Sequence, residues 1–305
     1  MNRNERFRLW TEYRNWPLGC YQLVIDAFEK GQLFHNDDQY ASGMNSVAIG
    51  QYIYNIKIII FNLMINHAHF IIWATGNDAV EFFIFLKKRI NAELVLNGFP
   101  PLPEELGFKL IAIDLSDPFD LQNNVIYVAR NPHKALPDKT PSGYIWGSNY
   151  LIFSDISKMI EKKPLREYSI RQQRSILKTK VNLPGDYLFN EKVGIILPES
   201  YVVPGKAEKI LKTSWKYCGD LVKKMDAYVK ISEKIGSKIV INDNELDSII
   251  YTICKNQYNV RTVRELSIDD RCKLAVRLHN EYYIAPKRIG RKLAIEQSVL
   301  AELLA

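Results

Sequence analysis

Two apolar runs, residues 54–64 and 67–74, are separated only by Ile65 and Asn66. Two residues suffice to turn one strand back on another, and asparagine tolerates the backbone that a tight turn needs. This hairpin frames the elements around it. Residues 20–28 (CYQLVIDAF) read as a strand and residues 37–52 as a helix. After the hairpin a long helix is expected from about Asp78. It has an Asp78-x-x-Glu81 capping pattern, apolar Phe83, Leu86, Ile90 and Leu94 along one side, and a stop at Gly98 and Pro100. Residues 108–113 follow as a short strand, and a last helix runs from Asp120 to about Asn131. The order βαββαβα predicts an α+β fold of the ferredoxin-like type, an antiparallel sheet with packed helices.

The chain of 305 residues, 47% hydrophobic and 25% charged, has the composition of a globular protein. Its most apolar stretch, residues 56–72, is interrupted by Lys57, Asn62, Asn66, His67 and His69, which argues against a membrane span. The first ten residues carry Arg3, Arg6 and Arg8 without an apolar stretch behind them, unlike a secretory signal, so a cytoplasmic protein is expected. The four cysteines are scattered with no CxxC pair, which suggests neither a zinc cluster nor a disulfide framework.

Charge is unevenly spread. Residues 1–150 hold 13 Lys and Arg against 15 Asp and Glu, whereas residues 151–305 hold 28 against 19. The expected organisation is therefore a first domain, 1–150, that performs chemistry, and a basic, mostly helical second domain, 151–305, that grips nucleic acid. A solvated lysine-rich surface explains the charge equally well. In the second domain, residues 155–180 read as a basic helical connector, residues 194–198 as a short strand or extended loop, and residues 207–235 and 244–256 as helices. A Ser267-capped helix to about His279, a turn, and a helix begun by Pro286 suggest a helix-turn-helix near 262–295. The Pro286 helix, with Lys287, Arg288, Arg291 and Lys292, is the expected reader, although Gly290 weakens it. A plain helical bundle is the alternative.

Candidate chemistry begins at Asn66-His67-Ala68-His69-Phe70. Side chains two apart on a strand share a face, so both imidazoles can reach one divalent ion, which needs a third donor from elsewhere. Tyr127 and Asn131, four apart, are neighbours on one helical face, and Pro132 is expected to place them in the final turn. A metal between two histidines and an amide, beside a tyrosine, suits phosphoryl transfer.

At these residues the chain resembles the HUH endonucleases. Leu63-Met64-Ile65-Asn66-His67-Ala68-His69-Phe70 is similar to their metal motif. Tyr127-Val128-Ala129-Arg130-Asn131-Pro132-His133-Lys134-Ala135 is similar to the YxxxN-Pro segment of the single-tyrosine transposases, in particular the REP-associated branch. Ser142-Gly143-Tyr144-Ile145-Trp146-Gly147-Ser148 is similar to the aromatic-Trp-Ser stretch that follows. The three occur in the family's order across roughly residues 18–150. The resemblance implies that His67, His69 and Asn131 hold Mg²⁺ or Mn²⁺. Tyr127 would then attack a phosphate of single-stranded DNA near a hairpin or palindromic repeat, leaving a 5′-phosphotyrosine and a free 3′-hydroxyl. It also implies a monomer or a homodimer. The family commonly has Pro where Ile65 stands, and some relatives carry Gln in place of Asn131. A replication initiator or relaxase of the same superfamily is one alternative, and a DNA-binding regulator that keeps the fold without turnover is another.

Further contacts to DNA are expected from Arg130 and from Arg3, Arg6 and Arg8, which lie near Trp10, Arg14 and Trp16 in a mixture of cations and aromatics. Tyr144 and Trp146 are expected to pack against element ends. His133 is expected in a solvated loop, and His35 has no assigned role.

Overall fold

The computed structural model describes residues 11–27, 31–117, 119–135, 141–223, 243–282, 284 and 286–304. Strand β1 (Gly19–Asp26) is buried on both faces along most of its length, as a central strand must be. Helix α1 (Asp37–Tyr54) starts where the Asn36 side chain accepts from Gln39 N, and ends at Asn55 in the left-handed region, φ 49°. It takes in Tyr54, so β2 (Lys57–Leu63) begins later than the apolar run. The turn at Ile65-Asn66 forms as expected and leads into β3 (His67–Ala74). Helix α2 (Gly76–Leu96) starts two residues before Asp78. Its cap is Thr75, whose hydroxyl accepts from Asp78 N at 3.1 Å and donates to the Asp78 carboxylate at 2.7 Å. Strand β4 (Lys109–Ala112) and helix α3 (Asp120–Ala135) complete the series.

The four strands lie in the order β2-β3-β1-β4 with every neighbouring pair antiparallel, the α+β, ferredoxin-like arrangement expected from the sequence. On one face Leu23, Phe61, Phe70 and Ile72 pack under α1 and α2, with the Phe82 ring edge-on to Phe70 at 5.6 Å. Each such side chain contributes about 1.5–3 kcal/mol by leaving water. The opposite face, with Val24, Asn62, His69 and Ile71, is covered by α3.

The chain divides into two compact units, residues 1–223 and 224–305. Residues 151–223, grouped by charge with the C-terminal half, therefore pack with the first unit. They contain α4 (Ile170–Leu177), α5 (Pro204–Leu211), α6 (Ser214–Lys223) and a small sheet of β5 (Lys163–Pro164), β6 (Leu188–Asn190) and β7 (Ile195–Ile196). The expected helical connector thus includes a strand. The attachment is specific: buried Asn45 of α1 donates to Gly194 O at 2.8 Å and accepts from Ile196 N at 2.7 Å. Arg89 of α2 donates to the last carbonyls of α4, those of Leu177 and Lys178.

Within the second unit, α7 (Asp243–Gln257), α8 (Ile268–Tyr282) and α9 (Pro286–Leu293) match expected helices, with the Ser267 cap and the Pro286 start in place. A further helix, α10 (Gln297–Leu303), follows. Among the described residues no helix is long and apolar enough to cross a membrane.

Candidate functional site

Strand register brings the candidate residues together. Across β1 and β3, Asp26 stands opposite His67 and Val24 opposite His69; across β2 and β3, Asn62 stands opposite His69. Opposed residues share a face. The Asn62 position depends on an irregularity between Ile58 and Ile60, where β2 gains one residue on β3. Without it Asn62 would oppose Ala68 and point to the other side of the sheet.

The two imidazoles lie with ring centroids 5.1 Å apart, and the His69 ring meets the Tyr127 ring edge-on at 5.3 Å and 85°. The Asn131 side chain hydrogen-bonds to His67 and donates from Nδ2 to Tyr127 O at 2.9 Å. The four residues singled out in the sequence thus form one cluster on the α3 face. His69 is buried and His67 half-buried. Burial pushes the His67 imidazole down to about 4 against the opposing pull of Asp26 and Asn131. Burial also drives His69 well below its ordinary range, and His67 adds to that shift. Both rings are therefore neutral at pH 7, the state a ligand nitrogen requires.

The donor set suits a divalent ion. His67 Nδ1 lies 2.8 Å from Asn66 Oδ1, and an Nδ1–H donated there makes Nε2 the ring's acceptor nitrogen. His69 Nδ1 is buried with no hydrogen-bond partner among the described residues, a cost that a bound cation would remove. Among the described residues, no group of three or more His, Cys, Asp or Glu could hold a metal, and the further oxygen donor beside the two rings is the Asn131 amide.

Side-chain amides hold the tyrosine helix against the sheet where a proline interrupts its hydrogen bonds. Pro132 lies inside α3, which continues to Ala135 and does not end near Asn131 as its sequence suggested. Lacking an N–H, Pro132 leaves Val128 O without its helical donor. Asn62 Nδ2 takes that place at 2.7 Å, and Asn149 Nδ2 donates to Ala129 O at 3.0 Å. Asn62 Nδ2 also reaches Asn149 Oδ1 at 3.1 Å. With Asn131 on Tyr127 O, three successive carbonyls receive side-chain amides, and the helix stays whole across its proline. Sequence reasoning missed Asn62, Asn149 and Asp26. The one available signal was Asn62, the lone polar residue among the apolar side chains of 58–64.

The aromatic-Trp-Ser stretch lies along the outer edge of β2. Leu63 N donates to Trp146 O at 2.9 Å, Ser148 N to Phe61 O at 3.0 Å, and the Tyr144 hydroxyl to Leu63 O. Tyr144 and Trp146 are buried, as packing residues should be. Gly147 is obligatory here, because a Cβ would stand 2.0 Å from Asn62 Oδ1 and 2.6 Å from Phe61 O.

Other expected DNA contacts are distributed differently. Arg130 is 4% exposed, so it does not sit at a DNA-facing surface. Trp16 packs against Tyr13 and Tyr21. His35 stacks on Phe99 with centroids 3.8 Å apart. Arg3, Arg6, Arg8 and the His133 side chain lie outside the described residues. In α9, Lys287 and Arg291 are exposed, Arg288 is half-buried, and Lys292 pairs with Asp247 at 2.7 Å.

Compared with known proteins, the chain matches no family model, no curated protein and no solved structure.

Proposed function

We propose that the chain is a metal-dependent, single-tyrosine strand transferase acting on single-stranded DNA at or near hairpins. The observation that carries this reading is the meeting of His67, His69, Asn131 and Tyr127 on one sheet face, with Tyr127 edge-on to His69 and Asn131 bonded to His67. His67, His69 and the Asn131 oxygen would hold Mg²⁺ or Mn²⁺, which would supply positive charge at the scissile phosphate. Tyr127 Oη forms the new bond to phosphorus as the P–O3′ bond breaks. The phenol proton is lost, and the departing 3′ oxygen gains one. The 5′-phosphotyrosine retains the phosphodiester's energy, so a 3′-hydroxyl can reverse the step without ATP. Such an enzyme would work in the cytoplasm as a monomer or homodimer, on DNA bearing hairpins or palindromic repeats.

Tyr127 is 2% exposed, so a DNA strand reaches its hydroxyl only after local opening. That burial favours a second reading, a DNA-binding protein that retains the constellation without turnover. The two separate in one gel. Incubated with hairpin-bearing single strands and Mn²⁺, the wild-type chain should form a covalent adduct that Tyr127→Phe does not. Equal adducts would remove the tyrosine from the chemistry, and no adduct from either would leave the regulator. The double variant His67→Ala, His69→Ala should lose cleavage and keep hairpin binding; retained cleavage excludes the ligand role.

A further inference from the structure

We propose that α9 and α10 form a helix-turn-helix that reads duplex DNA, with α10 as the helix that enters the major groove. The sequence pattern pairs α8 with α9 and makes α9 the reader. In the structure α9 faces inward: Ile289, Gly290 and Leu293 are buried, and Lys292 is tied to Asp247. Helix α10 buries only Leu300, leaving Gln297, Ser298, Val299, Ala301 and Glu302 exposed.

The connection between the two helices is built for a sharp turn. Only Ala294, Ile295 and Glu296 join them, and Ala294 sits in the left-handed region at φ 53°. Ile295 N donates back to Gly290 O at 3.1 Å, the bond that closes a helix whose next residue is left-handed. The same fold-back explains Gly290. A Cβ there would stand 2.8 Å from Ile295 O, 2.2 Å from Gln297 Nε2 and 3.1 Å from Leu300 Cδ1, so only glycine lets the two helices approach. Behind them Leu274, Ala275 and Leu278 of α8 are buried, as are Ile284, Ile289, Leu293 and Leu300. Three helices thus make one small unit whose last helix stands outward.

What α10 exposes suits base edges. Its outer side chains are short or unbranched, so the helix can sit deep in a groove. Ser298 can pair with either donor or acceptor, and the Val299 methyls with a thymine methyl. Helix α9 contains no acidic residue, and its exposed Lys287 and Arg291 suit the flanking phosphates. Neither helix contains an aromatic side chain, the stacking platform that single strands require, so the surface favours duplex.

The test uses the full chain, a pool of random-sequence duplexes, and a chelator to silence any metal-dependent cleavage, so its result does not depend on Tyr127 chemistry. The wild-type chain should enrich a short motif. Ser298→Ala with Val299→Ala, both at exposed positions, should bind the enriched duplex about tenfold less tightly or select a different motif. Lys287→Ala with Arg291→Ala should weaken binding evenly across sequences. The proposal is overturned if the wild type enriches nothing, if the α10 variant selects the same motif at the same affinity, or if a single-stranded competitor displaces the duplex preferentially.

Discussion

The amide that replaces a proline's missing donor offers a direct test of how the tyrosine helix is held. Asn62→Ala removes the donor to Val128 O, which Pro132 cannot replace. Leaving a buried carbonyl unpaired costs about 1–3 kcal/mol, and the space left by the amide adds about 1 kcal/mol. Part is offset, because Asn62 Oδ1 is itself buried with no hydrogen-bond partner among the described residues. A net loss of about 2–3 kcal/mol is expected. Pro132→Ala restores an N–H four residues beyond Val128, so in that background Asn62→Ala should cost about 1–2 kcal/mol less. Urea unfolding followed by tryptophan fluorescence reads the right part of the molecule, since all five tryptophans lie within residues 1–223. If Asn62→Ala costs the same with proline or alanine at 132, within about 0.5 kcal/mol, the carbonyl-rescue reasoning is refuted.

Three other outcomes are expected. Gly147→Ala, which drives a methyl into Asn62 Oδ1 and Phe61 O, should lower stability by more than about 2 kcal/mol in the same assay; an unchanged midpoint would mean the 145–148 segment is not held against β2. Gln22 is 0% exposed and neither side-chain polar atom has a hydrogen-bond partner among the described residues, so Gln22→Met should stabilise by about 1 kcal/mol, and a loss would show that the amide is bonded in solution. Burial pushes the Glu93 carboxyl up, but the hydrogen bond and charge of Lys178, with Ser42 and Asn97, outweigh it and hold the carboxyl below its ordinary value of 4.5. Its contribution is therefore complete above 4.5 and is lost as pH falls through the lower folded value, so Glu93→Gln should flatten the acid limb of stability against pH; an unaltered limb would contradict the pairing.

What could be read from the sequence was local. The strand His67–Ala74 and its two-residue turn follow from apolar patterning and Asn66, and the pairing of Tyr127 with Asn131 follows from helical spacing. Boundaries slipped where one side chain decides them: Thr75 rather than Asp78 caps α2, and Asn55 rather than the apolar pattern ends α1. The supports of the site were hidden because they act over long separations. Asn62 reaches Val128 across 66 positions and Asn149 across 87. No period in the chain announces the irregularity that turns Asn62 toward His69. Ala294, a residue that ordinarily continues a helix, makes the left-handed turn after α9, and nothing in the sequence pattern marks it.

The cover on β2 also limits how copies of this chain can join. Phe61, Leu63 and Ile58 have their outward main-chain groups taken by Ser148, Trp146 and Val203, so among the described residues that margin of the sheet is already occupied at these positions. A homodimer that continued the main sheet from one copy into the next would have to grow from β4, four residues spanning roughly 13 Å. The flank nearest the tyrosine helix is sealed against strand exchange, and any pairing of copies there has to proceed through side chains alone.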